Sequence, residues 1–490
     1  MDGHVYIQVT VPLKLDWEPW YTADAGIRVG QRVRVTLARR EYVGVVHRIG
    51  GSGDEIPSKV LAIDGIAEEL ADIAPEELEL WEFIADYYLC TIGEVYKAAY
   101  PKIRTLSEIS GFKALRKRIP ELKPAEKTHP SPDYKPGKPE FHEGEGRFSS
   151  YENAIAETSG DTLVLVPDFI SLDLMEKRLR PVHPDLMVAD SRQTPAKRRR
   201  VCEALRYGSG KKIVLGTRSS IFLPFRNLSL VIIDDEQDSN YKQDEPAPRY
   251  NGRDCAVMLA KIHGARVITG SSSPSLETVY NCLNGKYEKL NGGIGKADKR
   301  NAEIIDTNAE SRKNGMRGPF SRRLLGILAE NQGPAAIIRG WEPPEELQAF
   351  LAETFPERDI RILKYREARE TDLSDAVVAV LQADSLVGKD DFRADEKALH
   401  IVSELSARCR KLVLQTASPC RFNGSRNLTE LLRERRDFGF PPYTRLVETR
   451  TVDGRICGRF FLKPDSTLAA KKKEIKENTP KNLILDVDPK

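Results

Sequence analysis

The sequence has few cysteines, and no two of them form a Cys-x-x-Cys pair. Its seven cysteines are scattered through 490 residues, and none lies between residues 283 and 408. Disulfide frameworks and structural zinc sites both need characteristically spaced cysteines. We therefore expect no zinc and no disulfides, and a reducing cytoplasm as the location of the protein.

Long apolar runs and a strong net charge are also missing. No stretch approaches the roughly 18 apolar residues of a membrane-spanning helix, and residues 1–30 lack the apolar core of a signal peptide. We expect neither membrane insertion nor secretion. Lys and Arg number 76 against 73 Asp and Glu, which leaves a net charge of only +3. Overall charge therefore gives no indication of nucleic-acid binding, although basic clusters such as 197–200 and 471–473 could contact phosphates.

What the sequence does contain is a central series of four buried-strand patterns. Short Val/Ile/Leu runs at 163–167, 213–215, 230–233 and 267–269 each end in a polar cluster. Runs without alternation are typical of strands buried on both faces of a sheet. The segments between them predict helices, for example from Pro195 to a stop at Gly208. This alternation predicts a parallel α/β sheet that binds ligands beyond the carboxyl ends of its strands.

The polar clusters and their neighbouring segments carry four motifs: GTRSSIFLPF (216–225), DDEQDSNYKQ (234–243), RYNGRD (249–254) and GSSSPSLET (270–278). Taken singly, each is also typical of an ordinary turn or a solvated acidic cluster. In this order and spacing they resemble the first helicase lobe of the PriA family of replication-restart helicases, which reads GTRSAIFAPF, DEEHDSSYKQ, RYHARD and GSATPSLES. The resemblance implies an α/β fold: two helicase-type (RecA-like) parallel-sheet lobes, a small N-terminal β module and a small C-terminal α+β domain.

The N-terminal region predicts short strands at 5–13, 32–37 and 42–49. It resembles the domain with which the family grips the 3′ end of a nascent strand, and this resemblance implies that Arg39 and Arg40 contact DNA. The family commonly has Phe-Asp-Tyr before this pattern, with an aspartate that helps to hold the terminal nucleotide, whereas this chain has Pro19-Trp20-Tyr21. Trp20 and Tyr21 either stack on a base or belong to the core of the module.

The family's phosphate loop, GVTGSGKTEVY, uses its lysine to reach the outer phosphates and its threonine to hold magnesium. Counting back from Tyr151, this chain has Gly144, Gly146, Arg147 and Phe148 at the corresponding positions. The rigid fork of arginine replaces a compact ammonium group, and phenylalanine has no oxygen for a metal. ATP and magnesium are therefore possible cofactors by resemblance only, with Gly144, Gly146 and Arg147 as the nucleotide-binding residues.

The acidic motif matches the family's catalytic carboxylates with one change. Asp234 corresponds to the aspartate that positions the metal, and Asp235 to the glutamate that orients the attacking water. The shorter side chain of Asp235 misplaces its carboxylate by about one methylene, and such misplacement can cost roughly 100-fold in rate. These two residues are either catalytic, with magnesium at Asp234 when ATP is bound, or they cap the following helix.

The loop after the acidic motif resembles the family's aromatic-rich loop, which couples single-strand contact to hydrolysis. The resemblance implies that Tyr241 and Tyr250 stack on bases and that Arg218, Lys242 and Arg249 reach phosphates. The alternative is a loop that packs on the surface of its lobe.

The second half of the chain resembles a shortened second lobe, with strands predicted at 335–338, 360–363, 376–381 and 411–416. The family's eight-cysteine zinc insertion is absent, and so is zinc. Arg408 is the remaining candidate for the arginines that the family directs to the γ-phosphate, and its alternative is a surface salt bridge. ERRDFGFPPYTRL (434–446) resembles the entry to the family's C-terminal domain.

We therefore predict five segments: an N-terminal DNA-binding domain (1–105), a proline-rich linker in place of a winged helix (106–140), helicase lobe one (141–300), a reduced lobe two (301–432) and a C-terminal domain (433–490). The predicted function is a replication-restart protein that binds branched, fork or single-stranded DNA, with ATP hydrolysis lost or weak. By resemblance its partners are primosome proteins and single-stranded-DNA-binding protein. Two alternatives remain: an active ATP-dependent 3′-to-5′ helicase, and an interaction module that does not bind DNA.

Overall fold

The computed structural model describes residues 4–101, 137–290, 302–388, 392–423 and 427–490. Most of the predicted linker at 106–140 lies outside these residues. The chain forms two compact units: the first comprises residues 1–140, 148–270 and 443–490, and the second comprises 141–147 and 271–442. No helix within the described ranges is long and apolar enough to cross a membrane.

The first unit begins with a largely antiparallel sheet. Its strands are β1 (His4–Thr10), β2 (Trp20–Asp24), β3 (Arg32–Leu37), β4 (Arg40–Ile49), β5 (Leu61–Ala62) and β6 (Gly65–Ile66), in the order β5-β2-β1-β4-β3-β6. Alternating side chains such as Val33 and Val35 bury one face. Two helices follow, α1 (Pro75–Tyr87) and α2 (Ile92–Ala99), and Thr91 and Glu94 form a capping box at the start of α2.

The predicted first lobe is a parallel sheet with helices between its strands. The elements are β7 (Glu140–Glu143), α3 (Arg147–Glu157), β8 (Asp161–Leu165), α4 (Phe169–Leu179), β9 (Met187–Ala189), α5 (Pro195–Tyr207), β10 (Ile213–Gly216), β11 (Leu228–Asp234), α6 (Gly252–His263) and β12 (Arg266–Ser271). The strands β12-β11-β8-β10-β9 pair in parallel in that order. Helix α5 begins after the cap Thr194 and ends at Gly208, as its start and stop signals predict.

The second unit contains a second parallel sheet. Its elements are α7 (Leu276–Leu283), β13 (Glu288–Leu290), β14 (Ala302–Asp306), α8 (Thr307–Lys313), β15 (Met316–Arg317), β16 (Phe320–Ser321), α9 (Arg322–Glu330), β17 (Ala335–Ile338), α10 (Pro344–Thr354), β18 (Ile360–Leu363), α11 (Tyr365–Glu370), β19 (Val377–Val380), α12 (Ala394–Arg408), β20 (Lys411–Thr416), α13 (Pro419–Phe422) and α14 (Leu428–Asp437). The order β14-β20-β19-β17-β18 is parallel throughout.

The C-terminal segment returns to the first unit. It forms β21 (Arg445–Arg450), β22 (Ile456–Leu462), α15 (Leu468–Asn478) and β23 (Ile484–Val487), with the antiparallel order β22-β21-β23. Val447 and Val487 from this sheet share a hydrophobic core with Trp81 of α1 and Leu259 of α6. The predicted fold class is confirmed, with two parallel-sheet α/β lobes, an N-terminal β module and a small C-terminal α+β domain. The exact segment boundaries stay predictions.

Candidate functional site

The segment that corresponds to a phosphate loop is a tight turn. Gly144 has a left-handed backbone (φ 79°), which a residue with a side chain rarely adopts. Arg147 donates two hydrogen bonds to the Gly144 carbonyl, one from its backbone N–H at 3.2 Å and one from its Nη1 at 3.1 Å. A phosphate loop needs its amide groups directed at the ligand. In this turn the amide and guanidinium of Arg147, which is 5% exposed, are directed inward.

Phe148 occupies the position at which the family has a magnesium-binding hydroxyl. It lies in the first turn of α3, half-buried against the core. Its ring contacts Tyr151 edge-on at a centroid distance of 5.9 Å, and the Arg178 guanidinium of α4 lies 4.0 Å from its centroid. The ring therefore packs against protein on two sides, and it has no oxygen with which to hold a cation.

The carboxylates at the end of β11 take part in protein contacts. Asp234 Oδ1 accepts a hydrogen bond from the Tyr151 hydroxyl at 3.0 Å, and the Asp234 carbonyl accepts one from Tyr241 at 2.6 Å. Asp235 has a positive φ of 48°, a conformation that costs an L residue some strain. Glu236, to which we assigned no role from the sequence, is buried and forms an ion pair with Arg253 at 3.1 Å. Asp234 and Asp235 stay candidates for catalysis by resemblance.

The two tyrosines predicted to stack on bases are core residues, and this corrects that expectation. Tyr241 is 1% exposed and donates to the carbonyls of Leu165 and Asp234, while Tyr250 is 3% exposed and packs edge-on against Phe222. Burial raises the pKa of Tyr241 well above its usual value and that of Tyr250 in the same direction. Neither ring has an open face for a base in this structure.

Lys242 is likewise buried rather than available to a phosphate, which corrects a second expectation. Its side chain is 3% exposed and forms an ion pair with the equally buried Asp486 at 2.8 Å. It also donates to the carbonyl of Val487 at 2.6 Å and lies 5.2 Å from the ring centroid of Tyr88. Desolvation by burial lowers the pKa of Lys242 despite its acidic neighbours.

Two further cations support the same loop. Arg218 donates to Gln243 Oε1 at 2.8 Å and to the Asn240 carbonyl at 2.9 Å. Arg249 pairs with Glu245 at 2.9 Å, and its side chain is 14% exposed. The arrangement matches the alternative of a loop packed on its lobe. Arg218 and Arg249 hold the loop in place, and any role in phosphate contact stays a prediction.

In the N-terminal module the aromatic candidates are buried or half-buried, whereas the basic candidates are exposed. Tyr21 is buried, donates to the Thr36 carbonyl at 3.0 Å, and has its pKa raised to about 12 by desolvation, so it is a core residue. Trp20 is half-buried, with the Arg48 guanidinium 5.3 Å from its ring. Arg39 and Arg40 lie exposed at the turn between β3 and β4. They are the best-placed of the predicted DNA contacts.

Arg408 lies in the last turn of α12, where it pairs with Glu404 at 3.7 Å and donates to the Arg369 carbonyl. These contacts match the alternative of a surface salt bridge. Among the residues that the structure describes, no group of three His, Cys, Asp or Glu side chains could hold a metal ion.

The fold defines an α/β protein with two parallel-sheet lobes. Residues 5–101 match the family model of the PriA 3′ DNA-binding domain. Similar proteins named replication restart protein PriA include one from Rickettsia prowazekii (strain Madrid E), which is 29% identical over 59% of this chain and 46% of its own length. Another, from Chlamydia pneumoniae, is 34% identical over 38% of this chain and 26% of its own length. Over these ranges the chain is similar to proteins of the PriA family.

The chain spans about half the length, or less, of the curated relatives it matches. Two solved structures are also similar to parts of it. RecG bound to a three-way DNA junction is 12% identical, with a TM-score of 0.34, over 57% of this chain and 39% of RecG. A DEAD box protein from Methanococcus jannaschii is 13% identical, with a TM-score of 0.31, over 62% of this chain and 87% of that protein.

Proposed function

We propose that this protein binds branched or fork DNA as a replication-restart factor in which ATP hydrolysis is lost or weak. The observation that carries the proposal is Phe148, whose ring packs against Tyr151 and Arg178 where a magnesium-binding hydroxyl is required. The contact of Arg147 with Gly144 adds to it, because its backbone N–H and its Nη1 both donate to the Gly144 carbonyl instead of to a ligand.

DNA binding is supported by the N-terminal module rather than by the central loop. The match to the 3′ DNA-binding domain covers 5–101, and this region forms a six-stranded sheet with a buried face. Arg39 and Arg40 are exposed at one of its turns. Phosphate contacts by such cations supply most non-specific affinity and make it salt-dependent. The end of a single strand is the substrate that this domain match favours.

The partners follow from the family relationship. The relatives are named replication restart proteins, so primosome proteins and single-stranded-DNA-binding protein are the partners we propose. These partners would bring the replicative machinery to a fork that the protein has bound.

A second candidate is an active ATP-dependent 3′-to-5′ helicase. The retained Asp234 at the carboxyl end of β11, together with Gly144 and Gly146, favours it. Phe148 counts against this candidate, because it supplies no oxygen to magnesium. Asp234 would then be the one carboxylate that holds the metal together with the phosphates.

The test of DNA binding uses the full chain and a fluorescent fork with a free 3′ end, with a blunt duplex of the same composition as control. We expect tighter binding to the fork, and an affinity that falls steeply between about 50 and 200 mM salt. Absence of fork binding at low salt would leave a protein-interaction module without DNA, and it would end the proposal.

A further inference from the structure

Three phenylalanine rings form a stack at the end of α14 in the second unit. The rings of Phe392 and Phe440 lie 5.0 Å apart and 22° from parallel. Those of Phe440 and Phe438 lie 6.1 Å apart and 27° from parallel. The three rings therefore form one continuous stack in the order Phe392, Phe440, Phe438, with Phe438 as the outermost ring.

The inner end of this phenylalanine stack is fixed by a buried arginine. Arg435 lies with its guanidinium 4.5 Å from the centroid of Phe392, pairs with Glu396 at 3.0 Å and donates to the Pro441 carbonyl at 3.1 Å. Arg435 and Glu396 are 4% and 5% exposed. Breaking a buried pair is costly because the remaining charge is left without compensation. The inner ring of the stack therefore lies against an arginine that an ion pair holds in place.

The outer ring is open. Phe438 is 73% exposed, and Phe440 covers one side of it, so the opposite face meets solvent. The end of α14 that precedes it carries exposed charged residues: Arg433 is exposed, and Arg436 and Asp437 form a solvent-exposed pair at 3.3 Å. Such exposed pairs contribute little energy, and Arg436 can exchange its partner for a stronger anion.

We propose that Phe438 is a stacking site for an unpaired base of single-stranded DNA, with Arg436 at the adjacent phosphate. An aromatic face beside exposed cations is the arrangement that binds single strands without reading their sequence. A protein partner would instead favour a broad apolar patch with depleted charge. At the end of α14 the strongly exposed Phe438 directly follows the charged residues Arg436 and Asp437 in the sequence. The inference rests on the proposed DNA-binding function and adds a site separate from the N-terminal module.

The experiment compares Phe438→Ala and Phe438→Trp in the full chain, using a fluorescent oligo-dT strand as the probe. Base stacking is worth about 1–3 kcal/mol, so Phe438→Ala should weaken binding roughly five- to hundredfold. Phe438→Trp should retain or strengthen it. The matched control is Val452→Ala, which changes another strongly exposed apolar residue (82% exposed) and should leave affinity unchanged.

Two further readouts separate stacking from charge. The first readout is the slope of the logarithm of the binding constant against the logarithm of the salt concentration. Arg436→Ala should make this slope less steep by up to about 1, whereas Phe438→Ala should leave it unchanged. A strand carrying 5-iodo-deoxyuridine should photo-crosslink to Phe438.

The inference is overturned when Phe438→Ala binds within twofold of the parent chain, or when it and Val452→Ala lose affinity equally. Complete lack of DNA binding by the parent chain overturns this inference and the proposed function together, whereas intact fork binding with an unaffected Phe438→Ala variant overturns this inference alone.

Discussion

At the scale of single residues, the environment of each side chain decides its role more than its type does. Lys242 and Arg39 are both cations in family motifs, yet Lys242 is 3% exposed beside Asp486 and Arg39 lies in an exposed turn. The motifs identify both positions, but burial is set by distant parts of the chain. Asp486 is 244 residues away from Lys242, so no local pattern could have predicted this pair.

The packing of Phe148 leads to a stability prediction. Phe148→Ala should lower the free energy of unfolding by about 1–3 kcal/mol, because it removes a partly buried aromatic ring from Tyr151 and Arg178. The exposed Phe438→Ala serves as the control, with an expected change within about 0.5 kcal/mol. Urea unfolding of both variants checks this. Equal stability of Phe148→Ala and the parent chain would show that the ring does not pack in that place.

A histidine in the N-terminal module gives a pH prediction. His47 lies between Glu18, 2.6 Å from Nδ1, and Glu82, 2.9 Å from Nε2. The hydrogen bond to Glu18 is the largest cause that raises the pKa of His47 from 6.5 to about 9, and Glu82 adds to it. Because the folded-state pKa is the higher one, the stabilisation is complete below about pH 6.5 and is lost as the pH rises through about 9.

The variant His47→Gln isolates this contribution. The parent chain should be more stable than the variant by about 1–3 kcal/mol at pH 6, a value reduced for the exposure of Glu82. The difference should disappear by about pH 10. His183→Gln serves as the control, since burial lowers the pKa of His183 and no such high-pH loss is expected. A parent-to-variant difference that stays constant from pH 6 to 10 would contradict the assignment.

At the scale of elements, the C-terminal strand β23 holds the loop after β11. Lys242 pairs with Asp486, and Lys490, just beyond the strand, pairs with Asp244 at 2.7 Å. From α1, Tyr87 donates to Asp488 Oδ2 at 2.8 Å. The N-terminal module, the first lobe and the C-terminal segment are therefore joined at one place within the first unit.

Breaking the buried pair should destabilise this junction. Lys242→Met should cost about 3–5 kcal/mol, because it leaves the buried Asp486 carboxylate with only the more distant Arg450, at 3.6 Å. Adding Asp486→Leu should recover most of that loss, since two apolar side chains then replace two charges. Lys490→Ala removes a more exposed pair and should cost no more than about 1 kcal/mol.

Urea unfolding of the four chains measures these differences. A loss below about 1 kcal/mol for Lys242→Met, or a double variant less stable than the single one, would contradict the role of the buried pair.

The elements themselves were largely predictable, because their signals are local. Strands β17, β18 and β20 have the predicted bounds, and α5 begins and ends at its Thr-Pro and Gly signals. Strand β2 was missed, since its five residues have no long alternating pattern. The burial of Tyr241 and Tyr250 could not be predicted, because an aromatic loop has the same sequence whether it is packed or open.

At the scale of the whole molecule, we propose that the N-terminal module, which matches the 3′ DNA-binding domain, binds DNA. Arg39→Ala combined with Arg40→Ala should weaken fork binding. It should also make the slope of the logarithm of the binding constant against the logarithm of the salt concentration less steep by about 2, because two phosphates are then no longer neutralised. Arg180→Ala removes a half-exposed arginine that pairs with Glu176 in α4 and should change neither quantity. Titrations at several salt concentrations check this. An unchanged slope for the double variant would place the phosphate-binding cations elsewhere.

Our central proposal is that this PriA-like chain binds DNA while its nucleotide site lacks the groups that hydrolysis needs. DNA-stimulated phosphate release tests it most directly, with saturating fork and magnesium, for the parent chain and an Arg147→Ala, Asp234→Asn double variant. We predict that the parent chain releases phosphate at, or only slightly above, the background rate of the double variant. Fork-stimulated release by the parent chain well above that of the double variant would contradict the claim.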